Sequence, residues 1–296
     1  MALALGLFGA AQAYETDQFT NRLQVIEDSK PILNEKVNEA IAQVIAKWRW
    51  KNDEKKFAYK VYRILGGRHW VDHIERWAMN SDEVAKIEVP RRGSIYHRQP
   101  IWATRIGFML GIGATVKVDG TLFGTDKLGH FFSQGLKYYR RFRRSDSEAE
   151  AATQSALTER ALFGKMTTGS YSNADLVANY EGHRFYRSLF EDNIIDGKPA
   201  ILIWAGDQWR QQRPFDWADH VNDYWDEALN INHFDALLKH YIVPRLKAFC
   251  PDFHEKPEAF AIRNEDELKQ RYQDLQLVDS SELRLDQLCV PEPSKP

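Results

Sequence analysis

The segment GTDKLGHFF, residues 124 to 132, places a carboxylate, an ammonium and an imidazole within five positions. A carboxylate beside an imidazole is the pairing of general acid–base chemistry, and both groups also ligate divalent metals. In a helix Asp126 and His130 share a face one turn apart, and continuing by fours adds Gln134 and Tyr138. A second segment, TGSYSNADLVANYEGHRFY (168–186), repeats the pattern with Asp175, Asn179 and His183. Ser172 with Asp175 three later is a capping-box variant, so that helix should start near Asn173. Gly129 and Gly182 interrupt the two helices, although glycine there costs ~1 kcal/mol relative to alanine. Such glycines beside polar rows point to a close crossing with Asp126 and His130 facing Asp175 and Asn179.

Three chemistries fit these residues. In the first, Asp126, His130, Asp175, Asn179 and Glu181 are catalytic. His130 is then the general acid or base oriented by Asp126, Asp175 or Glu181 is the second carboxylate, and Asn179 donates to developing negative charge. Lys127, Gln134, Tyr171 and His183 would contact substrate. In the second, Asp126, His130 and Asp175, with His183, hold a divalent cation; the sequence admits a metal but requires no cofactor. In the third, the same residues form a buried polar network that fixes a helix crossing without catalysis.

The elements that must position these residues read as helices. LNEKVNEAIAQVIAKW sets Leu33, Val37, Ile41, Val44 and Trp48 on one stripe, and Pro31 suits a first turn. Further helices are expected near 56–64, 69–79, 99–110, 126–143, 148–163, 173–190, 218–229, 233–248 and 264–275. Only KIEVP (86–90) and TVKVDG (115–120) read as strands, so the expected fold class is all-α, an irregular helical bundle with at most a short β-hairpin. The expected organisation is a signal peptide over 1–13, a helical domain over 14–250 and a C-terminal tail over 251–296 packed on it.

Composition sets the outer bounds. The chain has 296 residues, 43% hydrophobic and 28% charged, as in an ordinary globular protein. A net charge of -2 gives no reason to expect a nucleic-acid partner. MALALGLFGAAQA is uncharged and ends in the A-x-A pattern of signal-peptide cleavage, which implies export and a mature chain starting at Tyr14. The two cysteines, Cys250 and Cys289, could then join. The most apolar later run, 101–116, is too short to span a bilayer. KYYRRFRR offers Lys137, Arg140, Arg141, Arg143 and Arg144 to an anionic membrane surface, although the same cations suit a helix C-terminus.

Other motifs carry less. His69, Asp72 and His73 resemble the H-x-x-E-H zinc pattern with aspartate for glutamate, and an edge histidine pair is the simpler account. FDWADHVNDYWDEALN (215–230) alternates acids with aromatics, as a sugar cleft or an amphipathic helix would. GxxxxGK[ST], GxGxxG, GxSxG and HExxH patterns do not occur, which argues against nucleotide-dependent and serine-hydrolase chemistry.

The D-K-x-G-H-F run at Asp126, Lys127, Gly129, His130 and Phe131 is followed by S-x-x-D-L-x-x-N-x-x-G at Ser172, Asp175, Leu176, Asn179 and Gly182. Together these resemble the YfiM-type lipoproteins of bacterial envelopes, and the D-K-x-x-H-F part resembles the VanZ family linked to glycopeptide-antibiotic resistance. The chain is longer than the YfiM type and lacks the multiple spanning helices of VanZ. The resemblance implies an exported, periplasmic or outer-membrane-associated protein acting on or binding an envelope lipid or glycan. It carries no specific reaction.

Overall fold

The computed structural model describes residues 15–67, 71–99, 111–158 and 170–290. The signal-peptide segment, the 99–110 helix apart from Gln99, the end of the 148–163 helix and His69 lie outside them. Ser29 and Pro31 open α1 (Lys30–Ala46), which buries Leu33, Val37, Ile41 and Val44. Asp53 caps α2 (Glu54–Leu65) by accepting from the Lys56 amide, and α3 is His73–Asn80. A nearly continuous helical rod follows: α4 (Asp126–Gly129), a π-helical turn (His130–Gln134) and α5 (Gly135–Ser145). Next come α6 (Glu148–Thr158) and α7 (Asn173–Ser188), the latter capped by Ser172 Oγ accepting from the Asp175 amide at 3.1 Å.

The rod crosses α7 at two glycines. A Cβ on Gly182 would sit 1.9 Å from the Phe131 carbonyl oxygen, and one on Gly135 would sit 2.6 Å from the Gly182 Cα. The crossing pair is therefore Gly135 and Gly182. Gly129, which the sequence pairs with Gly182, faces the carboxylates of α3 instead.

The expected all-α bundle is not what forms. Among the described residues about 51% are helical and 9 strands form four small sheets, a mixed α/β architecture. β1 (Glu15–Thr16) runs parallel to β3 (Ile112–Gly113). β2 (Lys86–Ile87), β4 (Thr115–Val118) and β5 (Thr121–Gly124) form an antiparallel sheet that feeds straight into α4. β6 (Ser170–Tyr171) pairs with β9 (His233–Phe234), and β7 (Leu202–Ala205) with β8 (Gln208–Gln211). Strands of two to four residues are too short for a period-two pattern to register. Three of the four sheets also pair segments remote in the chain.

The helix expected over 218–229 is replaced by two 3-10 turns, Trp217–Asp219 and Asp223–Trp225. Asp216 and Asn222 each accept a backbone N–H two residues on, the local bonding by which these residues compete with a helix. Beyond it lie α8 (Ala236–Lys247), α9 (Cys250–Glu255), α10 (Glu265–Arg271) and α11 (Leu285–Leu288). Phe260, Leu283 and Leu285 pack on Ile242 and Leu246 of α8, and a Cys250–Cys289 disulfide closes this layer with Cα atoms 5.3 Å apart. No helix among the described residues is long and apolar enough to cross a membrane.

Candidate active site

Lys127 is the hub. Its side chain is buried, and Nζ lies 2.7 Å from Asp126 Oδ2, 2.6 Å from Asp175 Oδ1 and 2.7 Å from Glu227 Oε1. The ammonium donates hydrogen bonds to Asp126 Oδ2 and Glu227 Oε1 and forms an ion pair with Asp175 Oδ1, so its partners are carboxylates of the protein itself. These come from the start of α4, the first turn of α7 and the loop after the second 3-10 turn. Lys127, which the sequence offers as a substrate contact, binds the protein's own acids instead.

Each carboxylate has a second oxygen. Glu227 Oε2 accepts from Thr16 Oγ1 at 3.2 Å, while Glu227 Oε1 also accepts from Ser172 Oγ at 2.8 Å. Asp175 Oδ2 lies 3.3 Å from His130 Nε2. Asp126 Oδ1 is buried with no hydrogen-bond partner. One donor atom each from Asp126, His130 and Asp175 fall within 4.8 Å of one another.

Asn179 orients the imidazole. Its Nδ2 donates to Ser155 Oγ at 3.5 Å, which turns its Oδ1 toward His130 Nδ1 at 3.1 Å. An amide oxygen only accepts, so the ring proton sits on Nδ1. Nε2 faces the Asp175 carboxylate at 3.3 Å, a contact that a proton or a metal cation between the two atoms would make favourable. Orientation of a ligating histidine through its other nitrogen is the usual outer-shell arrangement of metal sites.

Carboxylates outnumber cations around this hub. Gly129 admits two of them: a Cβ there would lie 2.8 Å from Glu75 Oε2 and 3.4 Å from Asp72 Oδ2. Ser133 Oγ on the π turn donates to Asp72 Oδ2. Burial, with the Glu227 and Asp175 charges, pushes Glu15 up to about 8. Burial also pushes Asp72 up to about 7 against the Ser133 hydrogen bond, and raises Glu75 well above the usual range with help from the Asp126 and Asp72 charges. Asp126 rises to about 6 through burial, which the Lys127 charge opposes and the Asp175 and Glu227 charges reinforce. For Asp175 burial acts upward, but the His130 and Lys127 charges and the Lys127 and Ser172 hydrogen bonds outweigh it and hold the group low. The Lys127 ammonium is held charged by Asp126, Asp175 and Glu227 against its burial.

Of the residues proposed from sequence, Asp126, Lys127, His130, Asp175 and Asn179 therefore meet in one place. The others do not. Glu181, fully buried, accepts from Tyr272 Oη at 2.8 Å and lies 3.1 Å from His220 Nδ1 and 3.2 Å from Arg184 Nη1. His183 stacks on Tyr138 and lies 3.7 Å from Glu148 Oε1. Gln134 accepts from Lys137 Nζ at 3.2 Å, and Tyr171 donates to the Gln276 carbonyl at 3.4 Å. His73 Nδ1 approaches the Ile64 carbonyl at 3.2 Å. Glu227, Glu15, Thr16 and Glu75 are absent from the sequence reading of the site; only the acid–aromatic alternation of 215–230 signalled Glu227.

No protein-family model, curated protein or solved structure matches this chain.

Proposed function

We propose that the chain is a divalent-cation-dependent hydrolase or transferase of the bacterial cell envelope, with Asp126, His130 and Asp175 as the cation's ligands. The observation that carries this reading is the division of labour at the two aspartates. Lys127 pairs with Asp126 Oδ2 and Asp175 Oδ1, and beside it one donor atom each from Asp126, His130 and Asp175 lies within 4.8 Å of the other two. Two carboxylate oxygens and one imidazole suit manganese, iron or zinc better than an all-oxygen site would. A cation held by these residues would lower the pKa of a bound water and so would supply a nucleophile for an ester, phosphoester or glycosidic centre. Lys127 and Asn179 fix the carboxylates and the imidazole, while Glu227 keeps Lys127 charged. The π turn at His130 also suits a site, since such turns recur at functional positions.

Export and an envelope lipid or glycan as substrate rest on the A-x-A segment, on the resemblance carried by D-K-x-G-H-F, and on the Cys250–Cys289 bond, which suits an oxidising compartment. A second reading has its own observation: Lys127 is 0% exposed and Asp126 and His130 only 6% and 7%, as in a network that serves folding alone. The two part in one experiment. A panel of chromogenic phosphoesters, carboxyl esters and glycosides is assayed with manganese, zinc or a chelator. The enzymatic reading expects chelator-sensitive turnover that Asp126→Asn and His130→Ala abolish while the thermal melt shows a folded protein. Turnover indifferent to chelator, or lost only where the variants unfold, contradicts it.

A further inference from the structure

We propose that the groove between α2 and α5 binds the phosphate-bearing headgroups of an anionic membrane surface and seats the protein on it. The groove measures 690 Å³, and its walls include Lys55 and Lys56 of α2 with Arg140 and Arg144 of α5. None of these four makes an ion pair with the described residues. The walls contain a single acid, Asp53, whose carboxylate already caps α2. A second hollow of 600 Å³ continues from it along Trp50, Lys51 and Glu54, sharing Asp53, Lys55 and Arg143, the last paired with Glu54 at 3.2 Å.

Two further observations point to a ligand and to its kind. Tyr139 lines the groove, and its buried hydroxyl has no hydrogen-bond partner among the described residues. Trp50 and Tyr59, 40% and 38% exposed, are the exposed large aromatics among the described residues, and both stand here. The Trp50 ring carries Lys56 Nζ at 4.4 Å and Lys60 Nζ at 5.0 Å from its centroid. Cations interleaved with amphipathic rings are what a headgroup layer selects, because the rings settle at the boundary while the cations meet phosphate. A soluble phosphate would satisfy the cations and leave the rings without a role. The helical rod that opens with Asp126 and His130 closes with these arginines, so docking here would place the active site at a fixed height above the lipid. The proposal does not rest on the metal reading of that site.

The test is co-sedimentation of the full protein with vesicles of phosphatidylglycerol mixed into phosphatidylcholine, against phosphatidylcholine alone. Binding is expected only to the anionic vesicles, weakened by about 0.5 M salt through screening. Arg140→Glu with Arg144→Glu, both exposed positions, should cut partitioning by ~10-fold or more, each cation near such a surface being worth roughly fivefold. Trp50→Ala should weaken it with less salt dependence. Near-UV circular dichroism identical to the parent keeps the comparison one of folded proteins. Equal partitioning to both vesicle types, or a charge-reversed variant that still binds, overturns the proposal. Inorganic phosphate provides the other arm: phosphate bound in the groove without vesicle binding would make this a soluble-anion site and overturn the membrane reading.

Discussion

Lys127 Nζ lies 2.7 Å from Glu227 Oε1, a carboxylate 100 positions further along the chain. That contact joins the helical rod to the loop after the second 3-10 turn, and Ser172 Oγ, 2.8 Å from the same oxygen, draws in the start of α7. Three segments that share no local pattern are thus held at one buried ammonium.

Removing that ammonium should be costly. Lys127→Met leaves Asp126, Asp175 and Glu227 buried without their common cation, and breaking a buried ion pair on one side costs about 3–5 kcal/mol. Denaturant unfolding measures this, and a loss below about 1 kcal/mol would mean that the three carboxylates are neutral or hydrated in the folded protein.

The acid surplus predicts a direction with pH. Glu15 is raised to about 8 in the folded chain, from an ordinary 4.5. The folded state therefore holds this proton over a range where the unfolded state has released it. Its contribution to stability is greatest at acid pH and falls as pH rises from about 4.5 to about 8. Glu15→Gln removes the titration, so relative to the parent the variant should gain at least ~1 kcal/mol between pH 5 and pH 8. Melting temperatures of both proteins across that range check it; parallel curves would contradict it.

The crossing of the rod with α7 is the least forgiving place in the fold. Gly182→Ala would drive a Cβ to 1.9 Å from the Phe131 carbonyl oxygen, a backbone atom that cannot swing aside. Overpacking of this kind costs upward of ~3 kcal/mol. Gly93→Ala serves as a control, since its nearest neighbour would be Pro90 Cγ at an ordinary 3.6 Å. A Gly182→Ala protein that melts like the control would refute the close approach.

The part of the site legible in the sequence was the part written at helical spacing. Asp126 with His130 and Asp175 with Asn179 are pairs one turn apart, and Ser172 announced the start of α7. Extending the second row to His183 failed because each step of four advances the helix face by roughly 40°. By the second step the side chain has turned to Tyr138 and Glu148. Glu181 likewise belongs to another buried cluster, with His220 and Tyr272. Glu15, Thr16 and Glu227 were illegible because two-residue strands and 3-10 turns set no periodicity. The hub role of Lys127 was hidden for the same reason, since two of its three partners arrive from distant segments.

The central claim is that Asp126, His130 and Asp175 hold one divalent cation, and calorimetric titration of the chelator-treated protein with manganese or zinc tests it most directly. The account predicts saturable binding of one equivalent per chain, lost in both Asp126→Asn and His130→Ala and retained in His73→Ala, whose imidazole faces the Ile64 carbonyl outside the site. Absence of binding, or binding that persists unchanged in Asp126→Asn and His130→Ala, would contradict it.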